Sequence, residues 1–164
     1  LGLEVLTLLL TAGHDGWVIT LAEQLHPLLP HLTARGQQVL AAVANQAGRI
    51  GGANCLTRQL GLPSRHCLAR LLRREGLPAI EELCGWMSVL NLLQDYEHTH
   101  QSLYQLAIRT TRHPPTCYRT VKRITGKTWT QVRMEGFHFA LISFLKRCAD
   151  LREGTSQRLA LLAG

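Results

Sequence analysis

Two stretches of the chain gather cationic side chains at helical spacing. Leu56 to Gly76, LTRQLGLPSRHCLARLLRREG, holds five arginines and a single acid, Glu75. Leu106 to Gly126, LAIRTTRHPPTCYRTVKRITG, holds five Lys or Arg residues and no acid. The chemistry on offer is anion recognition. Arg carries a planar fork that can meet O6 and N7 of guanine together, and Lys or Arg can neutralise phosphates. On a helical wheel His66, Arg70 and Arg73 form one stripe, and Thr116, Arg119 and Arg123 form another. Ser64, Arg65, His66 and Arg70 open the second half of the first stretch, and Pro115, Thr116 and Arg119 open that of the second. These are the positions from which a helix entering a groove meets base edges. Arg73, Arg74, Lys122 and Arg123 lie about a turn further on, where a helix leaving the groove meets phosphates. Charge runs are often plain solvated faces. Against that reading, the two stretches match at an offset of fifty residues: Leu56 with Leu106, Cys67 with Cys117, Leu71 with Val121, Arg73 with Arg123 and Gly76 with Gly126.

Other chemistries find less support. Glu81 and Glu82 are adjacent, so on a helix their carboxylates diverge by roughly 100° and are poor partners for acid–base work. The sequence contains no Gly-rich phosphate loop and no nucleophile elbow, so no enzyme is expected. His66-Cys67 with Cys55, or His98 with His100, falls short of four ligands at a familiar spacing, so neither metal nor cofactor is expected. The five cysteines are scattered and odd in number, which points to free thiols in a reducing cytosol. Cys67 and Cys117, each four residues before an apolar partner (Leu71, Val121), read as inert inward packing rather than redox sensors. Trp86 and Trp129 read as core anchors. Three Phe, three Tyr and three Trp leave few stacking platforms for single-stranded RNA.

The chain of 164 residues has 46% hydrophobic residues and a formal charge of +7. That charge asks for an acidic partner: nucleic acid, a membrane surface or an acidic protein. No Asp or Glu falls between Glu23 and Glu75, or between Glu97 and Glu135, and both basic stretches lie at or inside these zones. The apolar opening, Leu1 to Ala12, is interrupted by Glu4 and is too short to span a bilayer. A first residue of Leu rather than Met suggests a fragment or a trimmed start.

The elements that must position these residues are helical, with no convincing alternating strand. Asp15 is placed to cap a helix carrying Trp17, Leu21 and Leu25, ended by Pro27 and Pro30. Thr33 is a good N-cap for Ala34 to Ala47, with Gly48 as the stop. Arg49 to Asn54 reads as a loop. A short helix from Ala53 to Leu60 then meets Gly61, and Ser64 caps a second helix ending at Gly76. Pro78 suits the first turn of a longer helix to Gln94, roughly 25 Å at about 1.5 Å per residue. His98 to Gln101 reads as a polar link, and the second pair follows, ending at Gly126. Thr128-Trp129-Thr130-Gln131 has capping-box form and predicts a long helix through Leu151, with Thr155 starting a last short one.

Two helix-turn-helix units joined by a long helix resemble the DNA-binding domain of the AraC/XylS family of bacterial transcription regulators. The resemblance rests on Leu56, Gly61, Cys67, Leu71 and Gly76, on SLYQLA (Ser102 to Ala107) and on CYRTVKRITGKTWTQVR (Cys117 to Arg133). It covers roughly Thr33 to Arg133. The chain departs from the family at Leu71 and Val121, where Phe is usual, at Thr110-Thr111, where Gly is usual, and at Trp129, where Pro is usual. The expected fold class is all-α: two helix-turn-helix subdomains, a long linker helix, and extra N- and C-terminal helices. The expected division is 1–48 as a helical appendage, 49–133 as the tandem helix-turn-helix domain and 134–164 as a helical extension. The resemblance implies a cytoplasmic, nucleoid-associated regulator that binds double-stranded DNA across two successive major grooves, roughly 34 Å apart. RNA polymerase or a sigma factor, and a second copy of the chain in a homodimer, are further candidate partners; a membrane is not. The rival expectation is an adaptor that binds a sigma factor or polymerase through its apolar ends, Leu1 to Leu32 and Phe137 to Leu162.

Overall fold

A computed structural model of the protein describes residues 19–162, and every regular element among them is helical. Eight α-helices follow one another: α1 (Leu21–Leu25), α2 (Ala34–Asn45), α3 (Ala53–Gln59), α4 (Arg65–Glu75), α5 (Ile80–Thr99), α6 (Leu103–Arg109), α7 (Pro114–Thr125) and α8 (Trp129–Leu162). The expected all-α class holds for these residues. Asp15 and Trp17 lie outside them, and α1 is capped by Thr20, whose hydroxyl accepts from the Glu23 N–H while the Glu23 carboxylate accepts from the Thr20 N–H.

Side chains set most helix starts. Thr33 caps α2 through the Gly36 N–H, Ser64 caps α4 through Cys67, Ser102 caps α6 through Gln105, and Thr128 caps α8 through Gln131. α7 begins differently, with Pro114 at its first position and no side-chain cap, which suits a residue that lacks the N–H a cap would satisfy.

α5 is the centre of the molecule. Leu83, Trp86, Met87, Val89, Leu90, Leu92 and Leu93 are all buried, so its apolar surface wraps nearly all round, as for a core helix. α2, α6, α7 and α8 pack against it. It extends beyond the expected end at Gln94 to Thr99, and the link to α6 shrinks accordingly. Polar residues on its last turn face solvent, so composition there gives no stop; left-handed His100 (φ 53°) ends it.

α8 departs most from expectation. It runs through Thr155, whose hydroxyl donates to the Leu151 carbonyl instead of opening a new helix. It is also broken at Gly136 (φ 85°, ψ 171°). The Glu97 carboxylate accepts from the Phe137 N–H at 2.7 Å and so caps the second segment from another helix. Phe137, Ala140, Leu141, Phe144 and Cys148 of that segment join the same core as α5.

Candidate nucleic-acid interface

The two helix pairs, α3–α4 and α6–α7, repeat in backbone geometry as well as in sequence. α3 and α6 occupy matching positions at an offset of fifty. The turns agree bond for bond. The Leu60 N–H donates to Leu56 O, Gly61 to Arg58 O and Leu62 to Thr57 O; Thr110, Thr111 and Arg112 donate to Leu106, Ile108 and Ala107. Gly61 adopts φ 62° and Thr111 φ 54°. A left-handed residue is cheap for glycine and costs a β-branched threonine about 1–2 kcal/mol. Arg49 braces the costly turn, donating to the Thr110 carbonyl at 2.6 Å and to the Thr111 hydroxyl at 3.4 Å. Both second helices close on a left-handed glycine, Gly76 and Gly126, each at φ 72°.

The second helices bury one face and expose the other. Leu68, Leu71 and Leu72 of α4, and Cys117 and Val121 of α7, point into the core. Cys67 does not share that inward face. It is half-buried at the rim, where its Sγ meets the Ser64 hydroxyl at 3.5 Å and an Arg70 Nη at 3.4 Å. The inward face of α4 is centred one residue later than the sequence repeat implies. The Ser64 and Arg70 contacts pull the Cys67 thiol below its ordinary value of 9.0, whereas burial pushes Cys117 up.

Arg65, His66, Arg70, Arg73, Arg74, Pro115, Thr116, Arg119, Lys122 and Arg123 are exposed, and Ser64 is half-buried as a cap. Arg65, Arg70, Arg73, Arg119, Lys122 and Arg123 have no carboxylate partner among the described residues. Elsewhere Arg109 pairs with Asp95 at 3.5 Å, Lys127 with Glu135 and Arg147 with Glu82 at 2.7 Å, whereas Arg35, Arg49, Arg58, Arg112, Arg133, Lys146 and Arg152 have no such partner among the described residues.

Two of these cations carry structural duties as well. Arg74 donates to Glu75 at 3.2 Å, and Lys122 donates to the Gly126 carbonyl at 2.8 Å, at the end of α7. Arg65 and Arg73 also line a cleft of about 430 Å³ whose far wall is α8, with Arg147 and Asp150.

Glu75, the lone acid of the first stretch, is buried. Its carboxylate accepts from the Thr33 N–H at 2.7 Å and the Thr33 hydroxyl at 2.9 Å. It therefore sits at the N-terminus of α2, where the helix dipole favours an anion. A Cβ on Gly36 would stand 2.8 Å from the carboxylate, so glycine leaves the room that this approach needs. Burial raises the Glu75 pKa, but the Thr33 hydrogen bonds and Arg74 together outweigh it and hold the carboxyl below its ordinary 4.5. The acid is withdrawn from the surface that carries the arginines.

The copies are not identical on their exposed faces. His66 corresponds to Thr116 and Arg73 to Arg123, but Arg70 corresponds to Thr120 and Arg119 to Ala69. The middle cation therefore moves one position, about 100° around the helix axis. Sequence reading passed over Arg49 and Arg112, which tie the two halves together: Arg49 reaches the end of α6, and Arg112 donates to the Ala47 carbonyl beyond α2 at 2.7 Å. Nothing local in the sequence marks a pairing across more than sixty residues.

Among the described residues no three His, Cys, Asp or Glu side chains gather as a metal site, and no helix is long and apolar enough to cross a membrane. No family model, curated protein or solved structure matched the chain.

Proposed function

We propose that the protein is a sequence-specific double-stranded DNA-binding transcription regulator, with α4 and α7 as recognition helices in two successive major grooves. One observation carries the reading: two helix pairs with the same turn geometry each present an exposed basic stripe without carboxylate partners. The likeness to the AraC/XylS DNA-binding domain supports it, with α3–α4 and α6–α7 as the helix-turn-helix subdomains and α5 as the linker. α5 has 20 residues, which at about 1.5 Å each is about 30 Å, close to the roughly 34 Å between successive major grooves. His66, Arg70, Thr116 and Arg119 read base edges; Arg73, Arg74, Lys122 and Arg123 hold phosphates. Because Arg70 and Arg119 stand at different positions of the repeat, the two half-sites differ in sequence. Selection from a random duplex pool tests this. Two unlike half-sites about one helical turn apart are expected, and a pool without enrichment refutes the reading.

A second reading, an adaptor for a sigma factor or RNA polymerase, is favoured by exposed apolar side chains on α8: Met134, Phe139 and Ile142. It expects retained polymerase binding after the stripe arginines are replaced, and loss after Phe139→Ser with Ile142→Ser.

A further inference from the structure

Arg49 and Arg112 line the same two neighbouring cavities, each of about 250 Å³, between the end of α2, the middle of α5 and the start of α7. Ser88, His113 and Thr116 share the first cavity with them. All the acceptors that these arginines reach are neutral: the carbonyls of Thr110 and Ala47 and the hydroxyl of Thr111. Neither has a carboxylate within ion-pair distance among the described residues. Asp95 lines the second cavity, but its carboxylate is engaged by Arg109 at 3.5 Å. The Arg112 Nε is buried and has no acceptor, an uncommon state for an enclosed donor. Burial lowers the pKa of Arg112; Cys117 and Asp95 oppose this, and the Arg49 charge adds to it.

We propose that Arg49 and Arg112 form a binding site for one phosphoryl group; the Ser88 hydroxyl beside them is already donated to the Ala47 carbonyl at 2.9 Å, so the two guanidinium groups carry the site. A guanidinium carries five donors in a rigid fork that matches such an oxyanion, and here most of them are not used on the protein. The anion would supply the counter-charge that the protein withholds. The cavities are smaller than those that hold drug-sized ligands, roughly 300–1,000 Å³, which suits a phosphate or a small phosphate ester. Thr116 lies on α7, so the phosphoryl group could equally belong to a DNA backbone.

The experiment has two arms. In the first, no DNA is present, and melting is followed in inorganic phosphate and in chloride at matched ionic strength. At about ten times its dissociation constant, phosphate should raise the melting temperature of the parent by about 3–5 °C over chloride. Arg49→Gln, at an exposed position, should lose that increment, and Arg112→Gln should do the same where it folds. In the second arm, duplex binding is titrated with salt. A parent without the phosphate increment, whose log–log salt slope falls by about 0.9 in Arg49→Gln, places a backbone phosphate in the same site. An increment equal in parent and Arg49→Gln is general salting. That result, or no increment at all, together with an unchanged salt slope or no duplex binding, overturns the proposal. The first arm stands whether or not the protein reads DNA.

Discussion

Replacing Glu75 with Gln should cost far more than a change of one atom at a surface. The carboxylate receives two hydrogen bonds from Thr33, at 2.7 and 2.9 Å, and one from exposed Arg74 at 3.2 Å. Bonds to a charged acceptor contribute about 1.5–3 kcal/mol each. The amide keeps one acceptor and turns an NH₂ toward the other Thr33 group, so one charge-assisted bond is lost; Thr33 is exposed, so its freed donor can turn to water. The Arg74 contact adds little because it is solvated. The loss is about 1.5–3 kcal/mol, or about 3–12 °C in melting temperature for a chain of this size. The pH dependence gives a second readout. The folded carboxyl lies below its ordinary 4.5, so its ionisation stabilises the fold above that pH, and the contribution is lost as pH falls through the folded value. Thermal melts of parent and Glu75→Gln from pH 7 to pH 3 should show a gap that is constant above about pH 5.5 and narrows below 4.5. A variant that melts within about a degree of the parent at pH 7 would refute the account of Glu75 as the anchor between α4 and α2.

On the proposed DNA reading, Arg70→Ala and Arg119→Ala should each cost about 1–3 kcal/mol on the best sequence and relax base preference in one half-site. Lys122→Ala should weaken all sequences alike, and equal losses on selected and random duplex for all three would leave only a non-specific surface. Gly61→Ala should cost about 1–2 kcal/mol by chemical denaturation: Gly61 is left-handed, and a Cβ there would meet nothing within 4 Å, so the cost is conformational alone; an unchanged midpoint would show that the turn can relax. Among the thiols, Cys67 should alkylate near neutral pH well before Cys84 and Cys148, which burial pushes up to about 11 and about 12. Mass spectrometry of a timed reaction would show the order, and labelling of Cys148 ahead of Cys67 would contradict it.

What could be read in the sequence was local. Thr33, Ser64 and Thr128 sit three residues before the N–H groups that they cap, so these helix starts were legible to within a residue or two. Gly76 and Gly126 marked the ends of α4 and α7 for the same reason, since the left-handed stop is a property of one residue. The fifty-residue repeat survived as hydrogen-bonded turn geometry because it concerns positions close in the chain. The inward phase of α4 was misjudged because Cys67 is equally at home in a core and at a rim. Its place at the rim depends on Ser64 and Arg70, which offer the thiol polar contacts. The break in α8 was not legible either. Gly136 alone is a weak breaker, and the carboxylate that caps the segment after it, Glu97 on the Phe137 N–H, comes from forty residues away.

The contacts that escaped sequence reading are also those that join the two helix pairs into one body. α5 alone could set a distance between α4 and α7, but a lone helix would leave their relative rotation free. Three long-range ties oppose that rotation. Arg49, between α2 and α3, reaches the Thr110 carbonyl at the end of α6, and Arg112, between α6 and α7, reaches the Ala47 carbonyl just beyond α2. Glu82 on α5 holds Arg147 on α8 through two hydrogen bonds, at 2.7 and 3.0 Å. α8 in turn packs against both α4 and α7. On the proposed reading, this is what lets two modest readers act as one. A rigid joint makes the second contact intramolecular, so affinity multiplies where the half-site spacing matches and collapses where it does not. Inserting half a helical turn of DNA between the selected half-sites should therefore reduce binding to that of a single half-site, whereas a flexible joint would tolerate the insertion. Retained tight binding on the out-of-phase duplex would mean that the ties across α2, α5 and α8 do not hold the two recognition helices in register.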